Sequence, residues 1–151
     1  MIPKHLDLLL AEDDTDDCVL FESALESSSF DTTLKFVYDG EQLMKLLLLD
    51  SYVLPDVLFL DLNMPRKNGL ECLSEIRHYE RIRALPVVIF STSYDESIVN
   101  LIYKNGAIYY FSKPPEFSQL RKLIQKALTL IAQNTSIAVT QPIRGNFVLT
   151  A

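Results

Sequence analysis

The chain has 151 residues, the length of one ordinary domain, of which 48% are hydrophobic and 23% charged. Such a composition excludes disorder over most of the chain, since disorder needs low hydrophobicity and high net charge. With 20 acidic against 14 basic residues the net charge is −6, which opposes nonspecific binding to nucleic acid or to an anionic membrane surface.

Asp7-Leu8-Leu9-Leu10-Ala11 is a short apolar run that ends in acids and reads as a first strand. Cys18, Phe21 and Leu25 then recur at spacings of three and four, one face of a helix. Leu34-Lys35-Phe36-Val37 reads as a second strand, and after Asp39-Gly40 a helical segment runs through Leu43, Leu46 and Leu47. Val57-Leu58-Phe59-Leu60 is a third apolar run, followed by a helix marked by Leu70, Leu73 and Ile76. Pro86-Val87-Val88-Ile89-Phe90 is the clearest strand. Ile98, Leu101 and Ile102 give the next helix, closed by Asn105-Gly106 as a left-handed cap. Ala107 to Phe111 is a fifth strand, and Phe117, Leu120, Ile124, Ala127 and Ile131 line a last helix. From Asn134 to Ala151 the helical period is lost, Pro142 and Gly145 intervene, and the apolar Phe147-Val148-Leu149 follows. The expected organisation is a domain over residues 1–133 and a tail over 134–151 that docks on it or is partly disordered, with no output domain.

Five strands each followed by a helix predict an α/β fold. Strands apolar at nearly every position are buried on both faces, as a parallel sheet covered by helices requires. Right-handed crossovers make it a doubly wound (βα)5 sandwich, whose ligands bind outside the carboxyl ends of the strands. No apolar run approaches the ~18 residues of a membrane span, and Met1 to Leu10 lacks the pattern of a signal peptide, so the cytoplasm is the expected compartment. Cys18 and Cys72 are too few for a disulfide framework or a zinc site and are expected to be buried free thiols.

Reactive side chains stand at four strand ends. The first ends in Glu12-Asp13-Asp14, the third in Asp61, the fourth in Ser91-Thr92, and the fifth leads through Ser112 to Lys113. Parallel strands bring these to one edge, where clustered carboxylates repel unless a cation sits among them. Oxygen ligands without sulfur or imidazole point to Mg²⁺. A metal, a hydroxyl and an ammonium around one carboxylate form a charge-stabilising cage for phosphoryl transfer, with the carboxylate as nucleophile.

Four stretches in this order resemble the receiver domain of two-component response regulators, a flavodoxin-like fold, over about Leu6 to Ala132. They are Leu8-Leu9-Leu10-Ala11-Glu12-Asp13-Asp14, Leu58-Phe59-Leu60-Asp61-Leu62-Asn63-Met64-Pro65 with Asn68-Gly69, Pro86 to Ser93, and Tyr110-Phe111-Ser112-Lys113-Pro114. The resemblance implies that Asp61 is the phosphoacceptor. It makes Asp13 a direct Mg²⁺ ligand, Glu12 a ligand through water, and Asn63 a main-chain carbonyl donor. Ser91 matches the conserved hydroxyl of the phosphate site and Thr92 the small switch residue after it; Lys113 matches the phosphate-binding lysine and Tyr110 the aromatic switch. The Lys113–Pro114 bond is expected to be cis. Asp14, Asp16 and Asp17 are expected to cap and charge the first helix. Glu12 where aspartate is more usual, Pro115 after Pro114, and the tail beyond Ala132 depart from the family pattern.

The implied function is a stand-alone phosphorylation switch rather than an enzyme, with at most weak self-dephosphorylation. Its partners would be a histidine kinase or phosphotransfer protein and a downstream target protein, without direct nucleic acid or membrane contact; homodimerisation stays open. The alternative is a Mg²⁺-dependent phosphatase of the haloacid-dehalogenase kind, which expects an aspartate two positions after its nucleophile, where this chain has Asn63. A flavodoxin-like nucleotide binder would need a phosphate-cradling glycine loop after the first strand, and none of the four glycines is there. Substitution of Ser91 or Lys113, polar residues at strand ends, is expected to spare the fold. The expected output face is the fourth helix, fifth strand and fifth helix, with the Tyr109-Tyr110-Phe111 edge partly uncovered.

Overall fold

The computed structural model describes residues 5–133 and 140–151. One sheet holds β1 (His5–Ala11), β2 (Asp31–Val37), β3 (Val57–Asp61), β4 (Val87–Ser91) and β5 (Tyr109–Ser112). All pairings are parallel, in the order β2-β1-β3-β4-β5. The helices are α1 (Thr15–Glu26), α2 (Gly40–Leu47), α3 (Gly69–His78), α4 (Glu96–Lys104) and α5 (Phe117–Gln133). This is the doubly wound (βα)5 arrangement read from the sequence. β2 begins earlier than its apolar run because Asp31, Thr33 and Lys35 are exposed on an edge strand, where one face need not be apolar.

Side chains alternate across each strand and feed two cores. Leu8, Leu10, Phe59, Val88, Phe90 and Phe111 pack beneath α1 and α5. Leu9, Ala11, Leu58, Leu60, Ile89 and Tyr110 pack beneath α2, α3 and α4. Tyr110 therefore faces opposite to Tyr109 and Phe111, as strand alternation requires. Asp14, Asp39, Asn68 and Asp95 cap the first four helices through side-chain bonds to backbone N–H groups. Gly106 closes α4 with φ 88°, the left-handed conformation that Asn105-Gly106 predicts. Cys18 and Cys72 are buried free thiols. Among the described residues no helix is long and apolar enough to cross a membrane.

The strand order reverses between β1 and β3, which opens a crevice at their carboxyl ends.

The far edge of the sheet differs from expectation. The Tyr110 N–H donates to the Phe147 carbonyl at 3.1 Å, and the Leu149 N–H donates to the Tyr110 carbonyl at 2.8 Å, a parallel bridge of Tyr110 with Val148. Phe147 and Leu149 are buried, the first in the α2–α3–α4 core and the second in the α1–α5 core. The expectation of an uncovered aromatic edge is corrected: a bare strand edge leaves N–H and C=O groups unpaired, and here residues 147–149 pair them at Tyr110. The tail thus docks over its described part; residues 134–139 lie outside the described residues.

Candidate functional site

Glu12 follows β1 directly, held by its N–H bond to the Val37 carbonyl at 3.0 Å. Asp61 is the last residue of β3 and Ser91 the last of β4. Lys113 follows β5, and its N–H continues the ladder to the Ser91 carbonyl at 2.7 Å. Parallel pairing therefore brings Glu12, Asp13, Asp61 and Lys113 to one edge. Carboxylate oxygens of Glu12, Asp13 and Asp61 lie within 4.8 Å of one another. Glu12 and Asp61 are buried, and Asp13 is exposed. Gly69 opens α3 so close beneath this edge that a Cβ there would sit 2.5 Å from the Asp61 carbonyl oxygen. The Asn68-Gly69 pair thus caps the helix and clears room for the loop that carries Asp61.

Lys113 is the cation of the cluster. Its Nζ lies 2.6 Å from Glu12 Oε1, 2.9 Å from Asp17 Oδ2 and 3.6 Å from Asp61 Oδ2, and 5.3 Å from the Phe90 ring centroid. Burial pushes the Glu12 carboxyl up to about 8, the Asp61 carboxylate adds to the rise, and Lys113 only partly opposes it. Burial also raises Asp61 above the usual carboxylate range, against the opposing Lys113 charge and the Asn63 N–H that donates to its Oδ1 at 3.2 Å. Burial works against the Lys113 charge, yet the bonds to Glu12 and Asp17 outweigh it and hold the ammonium above its ordinary value. One lysine does not neutralise this pocket. Its all-oxygen donor set and unrelieved negative charge fit a hard divalent cation.

The hydroxyls form a second unit. Buried Ser91 Oγ lies 2.6 Å from Tyr110 Oη and donates to the Ser93 carbonyl at 2.7 Å. Tyr110, itself buried, also reaches the Ser93 carbonyl at 3.1 Å. Among the described residues no hydrogen bond joins Ser91 Oγ to the acid cluster. Thr92 and Asn63 are exposed. The Lys113–Pro114 bond departs from expectation, since no cis peptide bond occurs among the described residues; the trans form is the ordinarily favoured isomer of an X–Pro bond.

The family model of the response regulator receiver domain matches residues 8–125. The chain belongs to that family. FilR2, a probable methanogenesis regulatory protein of Methanothrix harundinacea, is 32% identical over 122 residues, covering 79% of each chain. Response regulator Rcp1 of Synechocystis sp. is 32% identical over 122 residues, 78% of this chain and 83% of its own. The crystal structure of Mn²⁺-bound Rcp1 matches with a TM-score of 0.76 at 29% identity, over 89% of this chain and 99% of that one. The phosphorylated cyanobacterial phytochrome response regulator RcpA matches with a TM-score of 0.79 at 30% identity, over 88% and 98%. As a receiver domain the chain is a phosphoacceptor switch of two-component signalling, and the phosphatase alternative finds no support.

One residue of this receiver's pocket escapes a sequence reading. Asp17 stands three residues after Asp14 and reads as an acid of the first helical turn. Asp14 alone makes the capping bonds, to the N–H groups of Asp16 and Asp17, which leaves the Asp17 carboxylate free to hold Lys113. We expect Asp17→Asn to cost no more than about 1 kcal/mol in urea denaturation, because the pair is partly solvated and Glu12 still holds the lysine.

Proposed function

We propose that Asp61 is the phosphoacceptor of this receiver, working with Mg²⁺ held by Asp13, Asp61 and the Asn63 carbonyl, and by Glu12 through water. The observation that carries the reading is the buried Asp61 carboxylate at a strand end, sharing one pocket with two further acids and a lysine. An Asp61 oxygen attacks the phosphorus of a phosphohistidine on a kinase or phosphotransfer protein. The new P–O bond forms as the P–N bond breaks, its electron pair staying on the imidazole nitrogen, which ends protonated. Mg²⁺ would supply positive charge to the phosphoryl oxygens and relieve the repulsion among the acids. Lys113, already 3.6 Å from Asp61 Oδ2, would turn from Glu12 and Asp17 to a phosphoryl oxygen. Attack of water on phosphorus would restore the carboxylate and release phosphate, at most slowly.

Ser91 answers the new charge, about −1.5 to −2 by analogy with phosphoserine. Its hydroxyl would leave Tyr110 Oη for a phosphoryl oxygen, which makes Tyr110 the element that reports phosphorylation and gives Thr92 room to follow. The receiver is assigned to residues 1–133 with 134–151 as its tail, and the cytoplasm, where phosphohistidine donors of this system act, as its compartment.

Incubation with acetyl phosphate, with and without Mg²⁺, tests the assignment by intact mass and peptide mapping. One phosphoryl group on the peptide that contains Asp61, only when Mg²⁺ is present, is the expected result. A phosphoryl group on another residue, or equal labelling without a divalent ion, would move the acceptor or remove the metal. For Ser91→Ala we expect labelling to persist while the phosphorylation-dependent change in Tyr110 fluorescence or chemical shift is lost. Its stability should fall by only about 1 kcal/mol, because the Tyr110 hydroxyl keeps the Ser93 carbonyl as partner.

A further inference from the structure

The tail makes more contacts than the bridge at Tyr110. Gln141 Nε2 donates to the carbonyls of Tyr103 and Ala107 at 2.6 and 2.7 Å, and Tyr103 Oη donates to the Pro142 carbonyl at 2.7 Å. Arg144 Nε donates to Asn100 Oδ1 at 2.8 Å. Phe147, fully buried, meets the Tyr103 ring edge-on with centroids 5.0 Å apart. Residues 141–149 therefore strap the end of α4 and the edge of β5 with polar bonds at the rim and two buried apolar side chains beneath.

Tyr110 is common to this strap and to the pocket. Its hydroxyl is bonded to Ser91, while its own N–H and carbonyl make both backbone bonds to the strap. Its ring shares one buried cluster with Phe147. We propose that the β5 edge is a strand-docking groove whose resting occupant is this chain's own Phe147–Leu149, and that phosphorylation at Asp61 releases it through Tyr110.

The inference rests on the reading of Asp61 as phosphoacceptor and Ser91 as responder. Once the Ser91 hydroxyl turns to a phosphoryl oxygen, Tyr110 loses its 2.6 Å partner in a buried site, and the ring has reason to move. Cores are close-packed, so a displaced Tyr110 ring disturbs the seat of Phe147 rather than an empty space. Docked strap and Ser91–Tyr110 bond thus support the same resting state. Linkage then requires the reverse effect: weakening the strap must tighten binding at the pocket by the same factor.

Beryllofluoride with Mg²⁺, an analogue of the phosphoryl group, tests this on the full chain by amide exchange and titration. On binding, exchange at the Tyr110 and Leu149 amides should accelerate at least about fivefold while Leu58 in β3 is unchanged. Phe147→Ala should bind the analogue at least about fivefold more tightly than the wild type. The Gln141→Ala/Arg144→Ala double variant, which cuts rim bonds and leaves the core intact, should shift in the same direction. Analogue binding with unchanged exchange and unchanged affinity in these variants would overturn the lock alone. Absence of analogue binding in every protein would overturn the phosphoacceptor reading and the lock with it. Tyr110 and Leu149 protection that falls on dilution would assign the docked strand to a second copy and overturn the lock within one chain.

Discussion

Asp61→Asn should abolish phosphoryl incorporation and, in the absence of metal, make the protein more stable rather than less. Asparagine keeps the shape of the side chain and removes the nucleophilic carboxylate, so no aspartyl phosphate can form at this position. The stability gain follows from what surrounds the residue. Burial holds the Asp61 carboxyl above its ordinary range even with Lys113 3.6 Å away, so the pocket disfavours its charge. A neutral isostere escapes that penalty and frees Lys113 for Glu12 and Asp17. A gain in stability near pH 7.5 is the expected result in urea denaturation, and Mg²⁺ should stabilise the variant less than the wild type. Phosphoryl labelling retained in Asp61→Asn would move the acceptor to another carboxylate. A clear loss of stability would mean that the ion pair with Lys113 outweighs desolvation.

The fold was open to sequence reading because its strands are buried on both sides. Val57 to Leu60 and Val87 to Phe90 are apolar without interruption, as strands of a parallel sheet covered by helices are. The caps at Asp14 and Asn105-Gly106 carried equally local signals. The docking of residues 147–149 carried none. A bridge between Tyr110 and Val148 depends on where the chain returns after α5, and no period or cap encodes that return. The apolar Phe147-Val148-Leu149 left docking and partial disorder both open, and gave no seat for the segment.

The site was legible to the extent that strand ends are. Glu12, Asp13, Asp61 and Lys113 each follow an apolar run, so parallel pairing alone gathers them. Pairwise geometry was not legible. Asp17 reads as one more first-turn acid, and its bond to Lys113 appears only once α1 is set against β5. The same holds for Ser91, whose hydroxyl in this state faces Tyr110 and Ser93 instead of the acids. Geometry also argues against the expectation that Lys113 is dispensable for the fold. A lysine after a strand looks solvated, but this one stands 2.6 Å from a carboxylate that is 1% exposed.

Lys113→Ala should therefore be destabilising without metal, and its cost should grow with pH. Removing one partner of a buried pair leaves the other either charged without compensation or forced to hold a proton. Glu12 is the residue left exposed to that cost, with Asp61 close by. Its carboxyl is pushed up to about 8 from an ordinary 4.5, chiefly by burial, so between those values the folded protein binds a proton that the unfolded chain has released. Stability from this group is thus full below about 4.5 and lost as pH rises toward 8. The rise in Asp61 acts in the same direction. Wild-type protein without metal should lose on the order of a few kcal/mol between pH 5 and pH 8. In Lys113→Ala the charge that opposes the rise is gone, so the fall should extend to higher pH, with the variant close to wild type at pH 5 and below it at pH 8. His5, raised by its bonds to Asp31 and Asp7, adds a small trend of the same sign in both proteins and cancels in their difference. Mg²⁺ replaces the missing positive charge and should recover most of the loss at pH 8 while changing little at pH 5, where the carboxyls hold protons instead. Urea denaturation at both pH values, with Mg²⁺ or a chelator, measures all four quantities. Parallel pH profiles for the two proteins, unaffected by Mg²⁺, would mean that the buried acids neither carry their charge in the folded state nor hold a cation.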